Sequence, residues 1–113
     1  MTQFILKAIA IFLVIGCLGC QPTQATVMAD SPGAKIFQTQ CVACHPGGGN
    51  IIRRGKNLKQ RAMQQNGYDS VEAIAQIVTY GKNNMSAFGD RLTPDEIETV
   101  SAYVLEQAAV NWR

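Results

Sequence analysis

One histidine, His45, is all the imidazole in this 113-residue chain, aromatic residues make up only 7% of it, and charged residues only 16%. Each scarcity removes a class of function. A lone histidine rules out any plan that needs two imidazoles, such as the paired ligands of a metalloprotease helix. A net charge of +2 on so few charged side chains makes neither a polybasic nucleic-acid binder nor an acidic disordered tail. The apolar run Ala8 to Leu18 is too short to cross a bilayer comfortably. Repeats and low-complexity tracts are absent, and a chain of this length admits one domain rather than two.

That apolar run follows Lys7 and precedes the polar stretch Gln21 to Thr26, the order of the three regions of a signal peptide. Val27-Met28-Ala29 before Asp30 supplies small residues at the third and first positions before a cut, and Thr23-Gln24-Ala25 fits less well. Residues 1–29 are therefore read as a signal peptide and residues 30–113 as the domain. Two of the four cysteines offer a rival reading. Val14-Ile15-Gly16-Cys17 resembles a bacterial lipobox, with Gly19-Cys20 a poorer second match. A lipid anchor at Cys17 or Cys20 would leave Gln21 to Thr26 as a flexible tether. Both readings export the domain.

What remains is at the size where a hydrophobic core alone is marginal and a staple or cofactor is needed. Its fold class is all-α, with four helical stretches and no competing strand pattern. Ser31-Pro32 is a cap followed by a first-turn proline, and predicts a helix through Ile36 and Phe37 to about Cys44. A polar surface helix is expected from Asn57 to Gln65, closed at Asn66-Gly67. Asp69 and Glu72 form a start resembling a capping box for a third helix, with Val71, Ile74 and Val78 on one face and Gly81 as the stop. Thr93-Pro94-Asp95-Glu96 opens the last helix, which buries Ile97, Val100 and Val104. Between the third and fourth lies the loop Lys82 to Leu92, which contains Met85.

Cys41-Val42-Ala43-Cys44-His45 is the sequence that attaches a c-type haem. On a helical turn, positions i and i+3 share a face, so both thiols can reach the vinyl groups along one porphyrin edge. His45, the next residue, can turn its imidazole onto the iron. Three other readings compete. A thioredoxin-type Cys-x-x-Cys needs a βαβ context, for which the sequence has no signal. A zinc site needs four ligands, and the domain offers Cys41, Cys44 and His45. A structural disulfide between Cys41 and Cys44 would leave His45 without a role.

Iron held this way has a sixth position to fill, and the domain has no second histidine. A methionine, a lysine, water or an exogenous ligand could take it. Met63 sits within the second helical stretch, as packing or surface. Met85 lies in a loop far enough beyond His45 to bring the chain round to the opposite face of the ring, and is read as the ligand. Phe88, Leu92 and Val104 are expected to keep water from the site.

These residues resemble a class I cytochrome c, specifically the cytochrome c6 family of cyanobacterial and algal thylakoid lumens. The matching pieces are Gly33-Ala34-Lys35-Ile36-Phe37, Cys41 to His45 with Gly47-Gly48-Gly49-Asn50, Asn57-Leu58-Lys59, Met85 with Ala87-Phe88-Gly89, Arg91-Leu92, and Tyr103-Val104-Leu105 before Trp112. They run in the family's order across Asp30 to Trp112. The resemblance implies about four helices wrapped around one covalently bound haem c, with Cys41 and Cys44 as its thioethers and His45 and Met85 as axial ligands. It implies a single-electron carrier, not an enzyme, between the cytochrome b6f complex and photosystem I or a terminal oxidase. It also implies that the first and last helices cross where Gly33 and Phe37 meet the face around Tyr103. A monomer in the thylakoid lumen or periplasm is expected, free or tethered by lipid, with no nucleic-acid partner.

Two features depart from the family. Ser86 follows Met85 where proline is usual, which adds backbone freedom and a hydroxyl beside the ligand. Arg53, Arg54, Lys56, Lys59 and Arg61 place five bases and no acid across nine positions, either a solvated helix face or a docking patch for an acidic partner. Both point as readily to a divergent, low-potential branch as to the main photosynthetic carrier. Ser86 also sustains an alternative function, a haem-based sensor whose methionine ligand dissociates. A lipid-tethered module without haem is nearly excluded by the attachment motif.

Overall fold

Among the described residues, four helices are started and stopped by local chemistry, and two of the starts fall where the sequence places them. A computed structural model describes residues 29–113. The signal-peptide and lipobox readings lie outside these residues. Helix α1 spans Pro32–Gln40, with the Ser31 hydroxyl accepting from the Ala34 amide at 3.2 Å and Pro32 in the first turn. The last helix, α4, spans Pro94–Ala109. Its capping box is closed in both directions: the Thr93 hydroxyl accepts from the Glu96 amide at 3.2 Å, and the Glu96 carboxylate accepts from the Thr93 amide at 2.8 Å.

The other two starts are displaced, each by a side chain that competes for the backbone. Helix α2 covers Gln60–Asn66, three residues later than Asn57. The Asn57 amide group donates to Arg54 O at 2.8 Å while its oxygen accepts from the Lys59 amide at 3.0 Å, so Asn57 closes a turn instead of opening a helix. Helix α3 spans Val71–Tyr80, and its cap is Ser70, whose hydroxyl accepts from the Ala73 amide at 3.1 Å. Asp69 is therefore one residue too early. Among the described residues no strand forms, and the one β-type pairing is an isolated bridge between Lys82 and Met85.

Helix α4 is the spine, with α1 and α3 packed against it. It buries Ile97, Val100 and Val104 as expected, together with Tyr103 and Ala108. Ser101 is also fully buried, its hydroxyl donating to Ile97 O at 2.6 Å. Helices α1 and α4 cross at Gly33. A Cβ there would stand 2.6 Å from Tyr103 Cβ and 2.8 Å from Thr99 O, closer than atoms can pack. Beside the crossing, Phe37, Tyr103 and Trp112 stack with centroids 4.8–6.0 Å apart. Replacing Gly33 by Ala is expected to cost about 1–3 kcal/mol, because neither backbone oxygen nor Cβ can swing aside. A lower denaturant midpoint at unchanged slope would show it. Gly55→Ala, where an added Cβ meets nothing within 4 Å, is the control.

Candidate functional site

Helices α1, α3 and α4 do not close on one another. They leave a cavity of about 260 Å³ walled by Phe37, Ile74, Val78, Val100 and Val104. Cys41, Cys44, His45 and Met85 all lie on the wall of this one cavity, so the structure brings together every site residue singled out in the sequence.

The cysteines reach it from a turn that is not part of α1. At the helix end the amides of Cys41 and Val42 both donate to Phe37 O, at 2.9 and 3.0 Å. That convergence closes the helix at Gln40 instead of Cys44. The amides of Cys44 and His45 then both donate to Cys41 O, at 3.2 and 3.0 Å, which winds one separate turn from Cys41 to His45. The i, i+3 spacing survives inside this turn, which is all that a pair of sulfurs on one edge requires. Cys44 is exposed and Cys41 half-buried. Burial, with Cys44 beside it, pushes the Cys41 thiol up to about 11, so at neutral pH it is a protonated, apolar group.

His45 is aimed by its own loop. Its Nδ1 lies 2.8 Å from Gly49 O. A carbonyl only accepts, so Nδ1 carries the proton and Nε2 keeps the lone pair that can bind a metal.

Met85 is fastened from both sides. Gly81 ends α3 with φ 72, and a Cβ on it would collide with Met85 O at 2.7 Å, so glycine alone fits this turn. Lys82 and Met85 then exchange both backbone hydrogen bonds, at 3.1 and 3.0 Å. Beyond Met85, the amides of Phe88 and Gly89 donate to Val78 O and Thr79 O at 2.8 and 3.1 Å and staple the loop to α3. Ser86, on the cavity wall, therefore belongs to a short span anchored at both ends.

Two expectations about the lining change. Phe88 and Val104 face the cavity, but Leu92 is buried in the core away from it. Met63, whose helix reads as polar surface, is 2% exposed and lines the cavity with Leu58. One large apolar residue beside Ala62, among Gln60, Arg61, Gln64, Gln65 and Asn66, has no periodicity to reveal it. The basic stretch is not one helix face either. It spans a 3-10 turn, Arg54–Lys56, and the start of α2, with Arg53 and Lys56 on the cavity rim.

Tyr68 and Lys82 also stand on the rim, with the ammonium 5.2 Å from the ring centroid. A hydrogen bond from Lys82, and the charges of Lys82 and Lys56, hold the Tyr68 phenol below its ordinary range, whereas burial holds that of Tyr103 above it. Tyr68 is expected to ionise well before Tyr103 as pH rises, and Lys82→Met to move the Tyr68 transition upward. Tyrosine carbon shifts followed through alkaline pH by NMR measure both.

The fit to haem is a matter of donors and polarity. Two sulfurs share one turn, an imidazole with a free Nε2 follows directly, and a thioether comes from a separate loop, all around a mainly apolar hollow. A fold of four helices around such a hollow defines the class, a c-type cytochrome of class I. The family model described as cytochrome c oxidase, cbb3-type, subunit III matches residues 29–104. Nostoc sp. strain PCC 7120 has a cytochrome c6-like protein 58% identical over 81 residues, covering 72% of this chain and 73% of the relative. The cytochrome c6 of Thermosynechococcus vestitus is 47% identical over 106 residues, covering 93% and 90%. The crystal structure of cytochrome c6C from Synechococcus sp. PCC 7002 superposes with a TM-score of 0.69 at 61% identity, over 71% of this chain and 98% of that one. The chain belongs to the cytochrome c6 family. With that membership come one covalently bound haem c and a role in electron transfer, not enzymatic catalysis.

Proposed function

We propose that Cys41 and Cys44 hold haem c through thioether bonds, that His45 and Met85 are its axial ligands, and that the protein is exported to shuttle single electrons between the cytochrome b6f complex and photosystem I or a terminal oxidase. The observation that carries this reading is the meeting of all four side chains on one cavity. Bound there, haem c supplies reversible one-electron exchange between ferrous and ferric iron. The protein's own work is positional. The closed turn from Cys41 to His45 fixes the covalent edge. Gly49 O orients the imidazole. The paired bonds between Lys82 and Met85 keep the thioether in place through the redox step, so that little reorganisation accompanies it. A soft sulfur donor favours the ferrous state and raises the potential, and Phe88 and Val104 on the cavity wall exclude water. A fastened methionine loop supports the carrier over a sensor that must release its ligand.

The partner meets the rim. Ile51 and Ile52 are 60% and 58% exposed, and Arg53, Arg54 and Lys56 follow them directly. An exposed apolar pair beside clustered bases suits a brief encounter with an acidic redox protein. Export places that encounter in the thylakoid lumen or periplasm. Cleavage after Ala29 leaves the domain free, and a lipid on Cys17 or Cys20 tethers it. Incorporation of radioactive palmitate separates the two. Among the described residues no helix is long and apolar enough to cross a membrane.

Two measurements test the function. A redox titration is expected to give a midpoint potential at or above that of the b6f donor, and one well below it excludes the shuttle to photosystem I. The second-order rate of electron transfer to an acidic partner is expected to fall as salt rises. A rate indifferent to salt removes the docking role of the basic stretch.

A further inference from the structure

Trp112, the penultimate residue, sits in a conformation that needs support. Both Asn111 and Trp112 have left-handed backbones, with φ 52 and 58. Two successive non-glycine residues there are sparsely populated and persist only where the surroundings hold them. The support is the indole. Its Nε1 donates to Leu58 O at 2.8 Å across 54 residues of sequence, and its ring lies 4.8 Å from that of Phe37. The ring also lies so close over Gly48 that a Cβ on that residue would run into it.

Hydrogen bonds continue from that contact to the axial histidine. The Leu58 amide donates to Gly48 O at 2.7 Å. Gly48 is joined by its peptide bond to Gly49, and Gly49 O accepts from His45 Nδ1 at 2.8 Å. The Gly48 and Gly49 amides return to His45 O and Pro46 O, at 3.1 and 2.9 Å. The carbonyl that orients His45 is thus carried on a glycine pair with almost no side chain of its own to seat it. The indole clamps that pair from above and through Leu58.

We propose that Trp112 is a positioning residue for the axial histidine: it holds the Gly48–Gly49 segment so that Gly49 O accepts from His45 Nδ1, and thereby sets the iron potential. The physical consequence has a sign. A firm bond from Nδ1–H to a carbonyl makes the imidazole a stronger donor, which stabilises ferric iron. Loosening it weakens the donor and raises the midpoint potential. This inference rests on the assignment of His45 as a ligand.

The test uses the haem-loaded protein. Trp112→Phe keeps an aromatic ring in the position beside Phe37 and removes the indole N–H together with the second ring. The expected results are a higher midpoint potential and exchange of the His45 Nδ1 proton with solvent about tenfold faster by NMR, since a local opening is made easier. In the unaltered protein, the Trp112 indole proton, the Leu58 amide and the His45 Nδ1 proton are expected to exchange through one shared opening, with the same denaturant dependence. That second measurement needs no variant. An unchanged potential and unchanged Nδ1 exchange in Trp112→Phe overturn the proposal, even if the melting temperature drops, because a purely structural tryptophan would lower stability alone. Independent openings in the unaltered protein overturn it too. Failure of the underlying assignment looks different: the His45 ring protons would lack the large haem-induced shifts of an iron ligand in every variant.

Discussion

His45→Ala is expected to give a chain that neither keeps its haem in place nor folds. The site is not an appendage to a finished core. All four helices of the described residues contribute to a hollow of about 260 Å³, and Phe37, Val100 and Val104 serve core and cavity together. An enclosed void of that size would cost about 6 kcal/mol at the usual penalty per unit of volume, and a hollow open at its rim costs part of that. The entire stability of a domain is only about 5–15 kcal/mol. Losing the imidazole also leaves the Gly49 carbonyl without its Nδ1 donor. Far-UV circular dichroism should show most of the helical signal gone at ambient temperature. Full helicity in a haem-free His45→Ala product would contradict the argument, since it would mean that α1, α3 and α4 close on themselves.

Met85→His is expected to leave a folded, haem-bearing protein whose midpoint potential falls by a substantial part of the roughly 0.8 V over which axial ligands tune haem iron. A second imidazole donates more strongly than a thioether and stabilises ferric iron. The loop should tolerate the exchange, because its fastening is all main chain: the pair of bonds between Lys82 and Met85 and the staples to Val78 and Thr79 use no atom of the methionine side chain. The weak near-red absorption of sulfur-to-iron ligation in the ferric protein should vanish with the fall. A variant that loses neither band nor potential would assign the sixth position to a different group.

How much of this was legible before the structure depended on the range of the interaction. Ser31-Pro32 and Thr93 to Glu96 act within one turn, and both helices begin where those residues say. The motif from Cys41 to His45 is equally local and lands on the cavity intact, even though the helix meant to carry it stops early. The errors at α2 and α3 are of one kind. Asn57 and Ser70 each bond the nearest free backbone group, and a choice between Asp69 and Ser70 as cap turns on backbone angles that residue type does not specify. Met63 and Leu92 changed places, the first facing the cavity and the second the core. Both are apolar, and only the packing of α2 and the methionine loop decides between them. The bond from Trp112 to Leu58 lies beyond any local reading, since it joins the chain's end to its middle.

The crossing at Gly33 also sets an order of events. It pairs the first helix of the domain with the last, so α1 has no permanent neighbour until α4 has been made. Contacts of such wide sequence separation form late and slowly. On a chain synthesised from its N-terminus, the segment from Cys41 to His45 emerges long before Tyr103 and Trp112. Cys41 and Cys44 are therefore accessible while the domain is still open, and the arrival of α4 completes the cavity that they line.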